Sequence, residues 1–312
     1  MGELDLIKKF RAHAPTHPNV IDGPGQDCAI LRWPAGRDLA FKIDQIVEGT
    51  HFLRSGPEAA TAKQIGWKAM AKACSDIAAT GYWPVAATVA VNLAKGTPPK
   101  VPLELYDGIC ACCKRFGFAL AGGDLSVSKN KLSVVVSLLG EGPKGKAWLR
   151  RGAKNGDLIL VTGTLGGSRG GKHLDFEPRL KEAREIRRLI PNGVHACIDI
   201  TDGLSRDLHH ICEESRRGAV VFEEKIPYSA SALRAEKSGK RSALDHVLRD
   251  GEDFELLMAL EPRAAKRLLK RWKLKTPLTL IGRMTPEESG CNLIRRDGTI
   301  VEMADIGYEH RA

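Results

Sequence analysis

Apolar and polar positions along the 312-residue chain follow two periods that alternate from one end to the other. Between Pro57 and Thr80, small and apolar residues fall at 59, 62, 65, 69, 73 and 77, the spacing of one helical face. Gly56-Pro57-Glu58 puts a proline and an acid in the first turn, and Gly81 stands where the helix should stop. The same reading predicts helices over 102–116, 179–190, 203–216 and 261–272. Apolar runs of strand length lie at 27–31, 38–43, 85–93, 132–139 and 157–162. Strands interleaved with helices predict a mixed α/β (α+β) chain. The turn-rich, polar stretch Gly142-Pro143-Lys144-Gly145-Lys146 interrupts this alternation and divides the chain into 1–143 and 144–312. No short internal repeat or low-complexity segment is visible.

Composition narrows the function classes. Apolar residues at 43% and charged residues at 28% are ordinary for a soluble globular chain. No run approaches the roughly 20 apolar residues of a membrane-spanning helix. The start, Met1-Gly2-Glu3-Leu4-Asp5-Leu6, carries neither a secretory nor a myristoylation signal, so a cytoplasmic location with no membrane partner is expected. The net charge of +10 comes from dispersed basic residues, among them Lys8-Lys9, Arg150-Arg151, Arg187-Arg188 and Arg216-Arg217. Aromatics make up only 5% and do not interleave with them, so no nucleic-acid partner is expected. A basic surface still attracts small anions such as nucleotides. Cysteines at 28, 74, 110, 112, 113, 197, 212 and 291 are too sparse for a disulfide framework. The Cys110-Ala111-Cys112-Cys113 cluster lacks partners at zinc spacing and reads as buried thiols of the helix over 102–116.

The chemistry lies in aspartates that share one local setting. Asp27, Asp44, Asp124, Asp199 and Asp202 each begin or end an apolar run beside a turn residue, whereas Asp76 sits on the helix over 57–80. Any one alone reads as a turn or capping residue. A carboxylate among apolar neighbours costs several kcal/mol unless paired or metal-bound. If the set converges, it calls for multiply charged cations, and magnesium, which shares its shell with substrate phosphates, is the natural candidate. The glycine-rich turn 161–171 follows a strand and reads either as a phosphate-facing loop or as a flexible surface loop. Its spacing matches neither the dinucleotide fingerprint nor the P-loop. Four acids in Asp250-Gly251-Glu252-Asp253-Phe254-Glu255 precede the apolar run 256–260, which makes a ligand-facing role as good a reading as a solvated face.

Taken in order, these motifs resemble thiamine-monophosphate kinases, in the superfamily of aminoimidazole ribonucleotide synthetase. The resemblance is carried by Gly25-Gln26-Asp27-Cys28, Asp44 with Glu48-Gly49-Thr50-His51, Ser75-Asp76, Gly122-Gly123-Asp124, Arg150-Arg151-Gly152, Asp199-Ile200-Thr201-Asp202-Gly203, Gly251-Glu252-Asp253-Phe254-Glu255 and the closing Gly307-Tyr308. It implies two α/β domains and a homodimer whose N-terminal domains build a shared β-barrel. It also implies direct transfer of the γ-phosphoryl group of ATP to thiamine monophosphate, with magnesium and without a covalent nucleophile. By motif, Asp27, Asp44, Asp76, Asp124, Asp199 and Asp202 resemble magnesium ligands. Gly123, Asp124, Arg150 and Thr201 resemble nucleotide contacts. His51, Glu252 and the position of Ile306 resemble the thiamine site, although His51 also reads as a core histidine.

Four departures stand out. Gln26 replaces an acid, Lys42 and Ile43 replace small polar residues, Ile306 replaces an aromatic ring, and the segment between Gly171 and Pro178 is short. Lys42 either stands in for one magnesium or contacts a phosphate. A paralogous ATP-dependent kinase or synthetase acting on another small phosphate or acid is the alternative activity, and a non-catalytic nucleotide-binding regulator is a third reading.

Overall fold

The computed structural model describes residues 13, 15–18, 20–22, 30–31, 36–239 and 241–308. Asp27 and Cys28 lie outside the described residues, as does most of the strand expected at 27–31. The chain divides into two compact units, Met1–Ile77 with Tyr82–Gly145 and Leu174–Glu177, and Ala78–Gly81 with Lys146–His173 and Pro178–Ala312.

The first unit opens with β1 (Val20–Asp22) and β2 (Ile30–Leu31), an antiparallel pair. It continues with β3 (Arg37–Val47), α1 (Ala62–Ala79), β4 (Trp83–Ala94), α2 (Lys100–Phe116), β5 (Ala119–Ser128) and β6 (Ser133–Pro143). A four-stranded sheet in the order β3-β6-β4-β5 carries the unit. Its β4–β5 pair is parallel because α2 crosses between them. Along β3 the even positions 38 to 46 turn inward and the odd ones face out, as the two-residue period of a half-buried strand requires. The helix expected from Pro57 starts five residues later. Thr61 and Gln64 cap it reciprocally, each side chain accepting the other's backbone N–H, and Pro57 belongs to the preceding turn.

The second unit contains β7 (Leu158–Thr162), α3 (Leu180–Leu189), β8 (Val194–Asp199), α4 (Leu204–Ser215) and β9 (Gly218–Phe222). There follow α5 (Ala230–Ser238), α6 (Ala243–Arg249), β10 (Leu256–Leu260), α7 (Pro262–Arg271), β11 (Leu278–Thr285), β12 (Cys291–Ile294) and β13 (Ile300–Glu302). Seven strands pair in the order β13-β12-β9-β11-β7-β10-β8, all antiparallel except β9 with β12. Leu204, Leu208 and Ile211 of α4 join Ile159, Ile198 and Leu257 of the sheet in one buried core. That packing seats α4 just beyond the C-terminal end of β8, and the turn between them holds Thr201 and Asp202. No helix is long and apolar enough to cross a membrane among the described residues.

In the first unit, α1 and α2 meet backbone to backbone. A Cβ on Gly66 would stand 1.9 Å from the carbonyl oxygen of Leu105, and one on Gly108 would stand 2.0 Å from that of Lys63. Gly66→Ala gains about 1 kcal/mol of helix propensity, but forcing the helices apart costs more. The expected net loss is about 1–2 kcal/mol in urea unfolding; an unchanged or higher midpoint would show that the helices separate freely.

Candidate functional site

In the first unit, alternation along β3 turns Lys42 and Asp44 inward, and a four-residue repeat on α1 sets Lys68, Lys72 and Asp76 on one stripe. The stripe and the strand meet as a cluster of charges. Lys42 Nζ lies 2.9 Å from Asp76 Oδ1 and 3.5 Å from Asp44 Oδ2, while Lys72 Nζ lies 3.2 Å from Asp44 Oδ1. Asp44 Oδ2 is fully buried and takes no hydrogen bond among the described residues, so its counter-charge comes from Lys42. Lys68 is completely buried and donates to the carbonyl oxygen of His51 at 2.6 Å. His51 Nδ1 in turn accepts the backbone N–H of Val47 at 3.1 Å. That leaves the Nε2 edge of the half-buried ring as its donor side.

Strand register separates the remaining acid of this unit from that cluster. Asp44, Val136, Val89 and Gly123 share one row across the sheet, and Gln45, Val135, Ala90 and Asp124 share the next. Gly123 therefore stands level with Asp44, and a Cβ there would lie 2.4 Å from the carbonyl oxygen of Val89. Asp124 projects from the opposite face, exposed and with no ion pair among the described residues.

In the second unit, β8 delivers Asp199 to the sheet's edge, 3% exposed, and the turn 200–203 follows. Asp207, one turn into α4, closes that turn: its Oδ2 accepts the N–H groups of Thr201 at 2.9 Å and Asp202 at 3.0 Å. Burial pushes the Asp207 carboxyl well up, with the nearby Asp202 and Asp199 charges adding to the rise and the two N–H donors opposing it. The ligand atoms of Asp202, Asp207 and His210 lie within 4.8 Å of one another, a grouping that could hold a cation. Sequence reasoning missed Asp207 and His210. The signal was their spacing after Asp202 on an expected helix.

Two further segments are tied to this turn. The carbonyl oxygen of Thr201 accepts the N–H of Glu252 at 2.7 Å, and that of Ile200 accepts the N–H of Phe254 at 2.8 Å. Glu252 and Phe254 both take left-handed backbone, φ 53° and 51°, to make these bonds. Near the C-terminus, Tyr308 N–H donates to the carbonyl oxygen of Asp202 at 3.0 Å, and Arg206 pairs with Asp305 at 2.8 Å. The half-buried Ile306 is thereby held against the Asp202 turn, and the guanidinium of Arg169 sits 5.4 Å above the Tyr308 ring. Arg150 is exposed beside β8, where the carbonyl oxygen of Leu149 takes the N–H of Cys197. The structure thus gathers Asp199, Thr201, Asp202, Glu252 and Ile306 within this unit.

The glycine-rich turn differs from both of its sequence readings. The Gly166 N–H is held by the Asp253 carboxylate at 2.9 and 3.0 Å, and the Gly167 N–H by Asp250 Oδ2 at 3.2 Å. These donors are occupied by protein carboxylates, which also fix the loop. The acidic run 250–255 is likewise spent mostly inside the protein. Glu255, completely buried, binds Arg179 through two 2.6 Å hydrogen bonds, Lys172 at 2.8 Å and Thr162 Oγ1 at 2.8 Å. Glu252 and Glu255 also engage the Asp202 turn through their backbones, Glu252 donating its N–H to Thr201 and Glu255 accepting that of Ile200 at 2.8 Å. The cysteines at 110, 112 and 113 are buried in α2, and among the described residues the one metal-competent group contains no cysteine.

Comparison with known proteins follows this geometry. Residues 25–141 match the N-terminal domain of the AIR synthase related proteins, and residues 135–291 match their C-terminal domain. A thiamine-monophosphate kinase of Rhodopirellula baltica is 38% identical over 293 residues, 90% of this chain and 89% of its own length. The crystal structure of a thiamine-monophosphate kinase from Stenotrophomonas maltophilia K279a aligns with a TM-score of 0.79 at 30% identity, covering 97% of this chain and 98% of that one. AaThiL complexed with AMPPCP and TMP aligns with a TM-score of 0.73 at 28% identity, covering 99% and 96%.

Asp253 supplies a pH test of this loop. Burial, outweighing the opposing Lys172 charge and Gly166 N–H, raises its carboxyl from 3.8 to about 7. Between these values the folded chain keeps a proton that the unfolded chain has lost, so this group's contribution to stability falls as pH rises from about 4 to 7. In melting curves across that range, wild type should lose stability relative to Asp253→Asn. Parallel profiles for the two proteins would contradict the assignment.

Proposed function

We propose that this chain, which belongs to the thiamine-monophosphate kinase family of AIR synthase related proteins, transfers the γ-phosphoryl group of ATP to the phosphate of thiamine monophosphate, yielding thiamine diphosphate and ADP. The observation that carries this reading is the turn after Asp199, where Thr201 is bound to the Glu252 segment, Asp202 to the C-terminal tail, and both to Asp207. An oxygen of the acceptor phosphate attacks the γ-phosphorus as the bond to the β–γ bridging oxygen breaks, and that oxygen leaves with ADP. The acceptor is itself the nucleophile, so the protein's part is positioning and charge compensation. Gly123, Asp124, Arg150 and Thr201 are assigned to the nucleotide, and His51, Glu252 and Ile306 to the thiamine moiety.

The donor set fits magnesium: all are carboxylate oxygens, with Asp124 exposed, Asp199 at the end of β8 and Asp202 on the turn that follows. Asp27 and Asp124 in the first unit and Asp199 and Asp202 in the second are the acids assigned to magnesium; Asp44 and Asp76, assigned by the same motifs, already face Lys42 and Lys72. Bound there, it would neutralise two anionic reactants as they approach. Residues 1–143 are assigned ATP and magnesium binding and dimerisation, and residues 144–312 complete the nucleotide and substrate site. A cytoplasmic location is part of the same reading.

Dimerisation through a shared barrel is supported by β3, an edge strand of its sheet, whose outward positions Leu39, Phe41 and Ile43 are 50, 74 and 66% exposed. An apolar edge strand is a site for pairing, and a second copy of the same strand is its matching occupant.

Purified protein given ATP, magnesium and thiamine monophosphate should form thiamine diphosphate. No turnover at millimolar substrate would sink the reading, and stabilisation by Mg-ATP alone would then select another acceptor. Asp202→Asn should lower kcat/KM on the order of 100-fold or more, because charge compensation is usually the largest single contribution to such catalysis. Sedimentation should find a dimer that Phe41→Glu turns into a folded monomer; a wild-type monomer would remove the barrel.

A further inference from the structure

The cluster of Lys42, Lys72, Asp44 and Asp76 is balanced as it stands. Two carboxylates, 11% and 23% exposed in their side chains, face two ammonium groups. Lys42 is the member that meets both acids, since its Nζ reaches Asp44 on its own strand and Asp76 on α1. Lys72 serves Asp44 from the other side and also donates to the carbonyl oxygen of Gln45 at 3.4 Å. Carboxylates this far from water attract a counter-charge strongly. A small divalent ion is one answer and a lysine ammonium is another. The two exclude each other at short range, because a dication entering between Asp44 and Asp76 would meet the Lys42 charge at contact distance.

We propose that the Lys42 ammonium is a built-in counter-cation to Asp44 and Asp76, so that the chain binds one divalent ion fewer than it would with a small neutral residue at position 42. A tethered cation is always in place and needs no free metal to fill it. It rests on the phosphoryl-transfer reading for what the remaining ions do, but the number bound does not depend on that reading. A lysine carries one charge where magnesium carries two, so the proposal also makes the cluster neutral where an ion would leave it positive. Lys42 acts here by compensating charge, and its place is fixed by both acids.

The test counts ions. Mn2+ bound per chain is measured from the EPR signal of free Mn2+ in the presence of AMPPCP, for wild type, Lys42→Ser and Lys42→Arg. Lys42→Ser should bind one more Mn2+ per chain than wild type, and Lys42→Arg the same number as wild type. Equal counts for wild type and Lys42→Ser overturn the proposal. Should Lys42→Ser be too unstable to count, its melting temperature is followed against Mn2+ without nucleotide. Recovery towards the wild-type value supports the proposal, and a metal-insensitive melting temperature overturns it. Thiamine diphosphate formation by the same wild-type preparation reports on the kinase reading separately; its absence would sink that reading and leave the ion count standing.

Discussion

Carboxylates held partly out of water need a counter-charge, and much of this molecule's polar architecture answers that need. An uncompensated buried charge costs several kcal/mol, comparable with the whole stability of a domain. Each inward acid therefore has to be matched by a lysine or arginine, by backbone N–H groups, by a retained proton or by a cation. The chain uses the first three routes visibly. Glu255 is matched by Arg179 and Lys172, and Asp207 accepts two backbone N–H groups while burial raises its carboxyl. Asp253 takes the N–H of Gly166 and is raised to about 7. The fourth route is the one proposed above for Asp124, Asp199 and Asp202.

The same division governs the acidic run of the second unit. The run 250–255 looks like a concentrated binding motif, yet Asp250, Asp253 and Glu255 anchor the glycine-rich turn and the base of β7. Their work is to hold the Glu252 segment in left-handed backbone against Thr201. Rigid support of this kind keeps a positioning site within the tolerance that phosphoryl transfer demands. The first unit makes a different choice, spending two lysines on Asp44 and Asp76 and leaving Asp124 exposed.

The sequence made the long amphipathic elements legible and the short ones not. Helices 102–116, 179–190, 203–216 and 261–272 appear within two residues of their expected bounds, because each carries a clear apolar stripe. The strands β8, β9 and β11 to β13 are three to eight residues long, and their inward runs carry no alternation that separates them from buried helix. α5 and α6 escaped notice although Ser229 and Ser242 cap them, accepting the N–H groups of Ala232 and Asp245. The Thr61-Gln64 capping box was there to be read as the start of α1, but Pro57 suggested an earlier one. Among site residues, Asp199, Thr201, Asp202 and Glu252 were found by motif and stand together. The pairing of Lys42 with Asp76 is a contact across 34 positions that no local pattern encodes. Which acids a fold compensates internally is a tertiary fact, and motif order does not carry it.

The central claim is that the chain divides its acids between tethered and metal counter-charges, with Asp44 and Asp76 on the tethered side. Anomalous scattering from a crystal grown with Mn2+ and AMPPCP locates the ions directly. The account predicts manganese density at Asp202 and none between Asp44 and Asp76, with Lys42 Nζ in contact with both carboxylates. A manganese peak bridging Asp44 and Asp76, with Lys42 turned away, would contradict it.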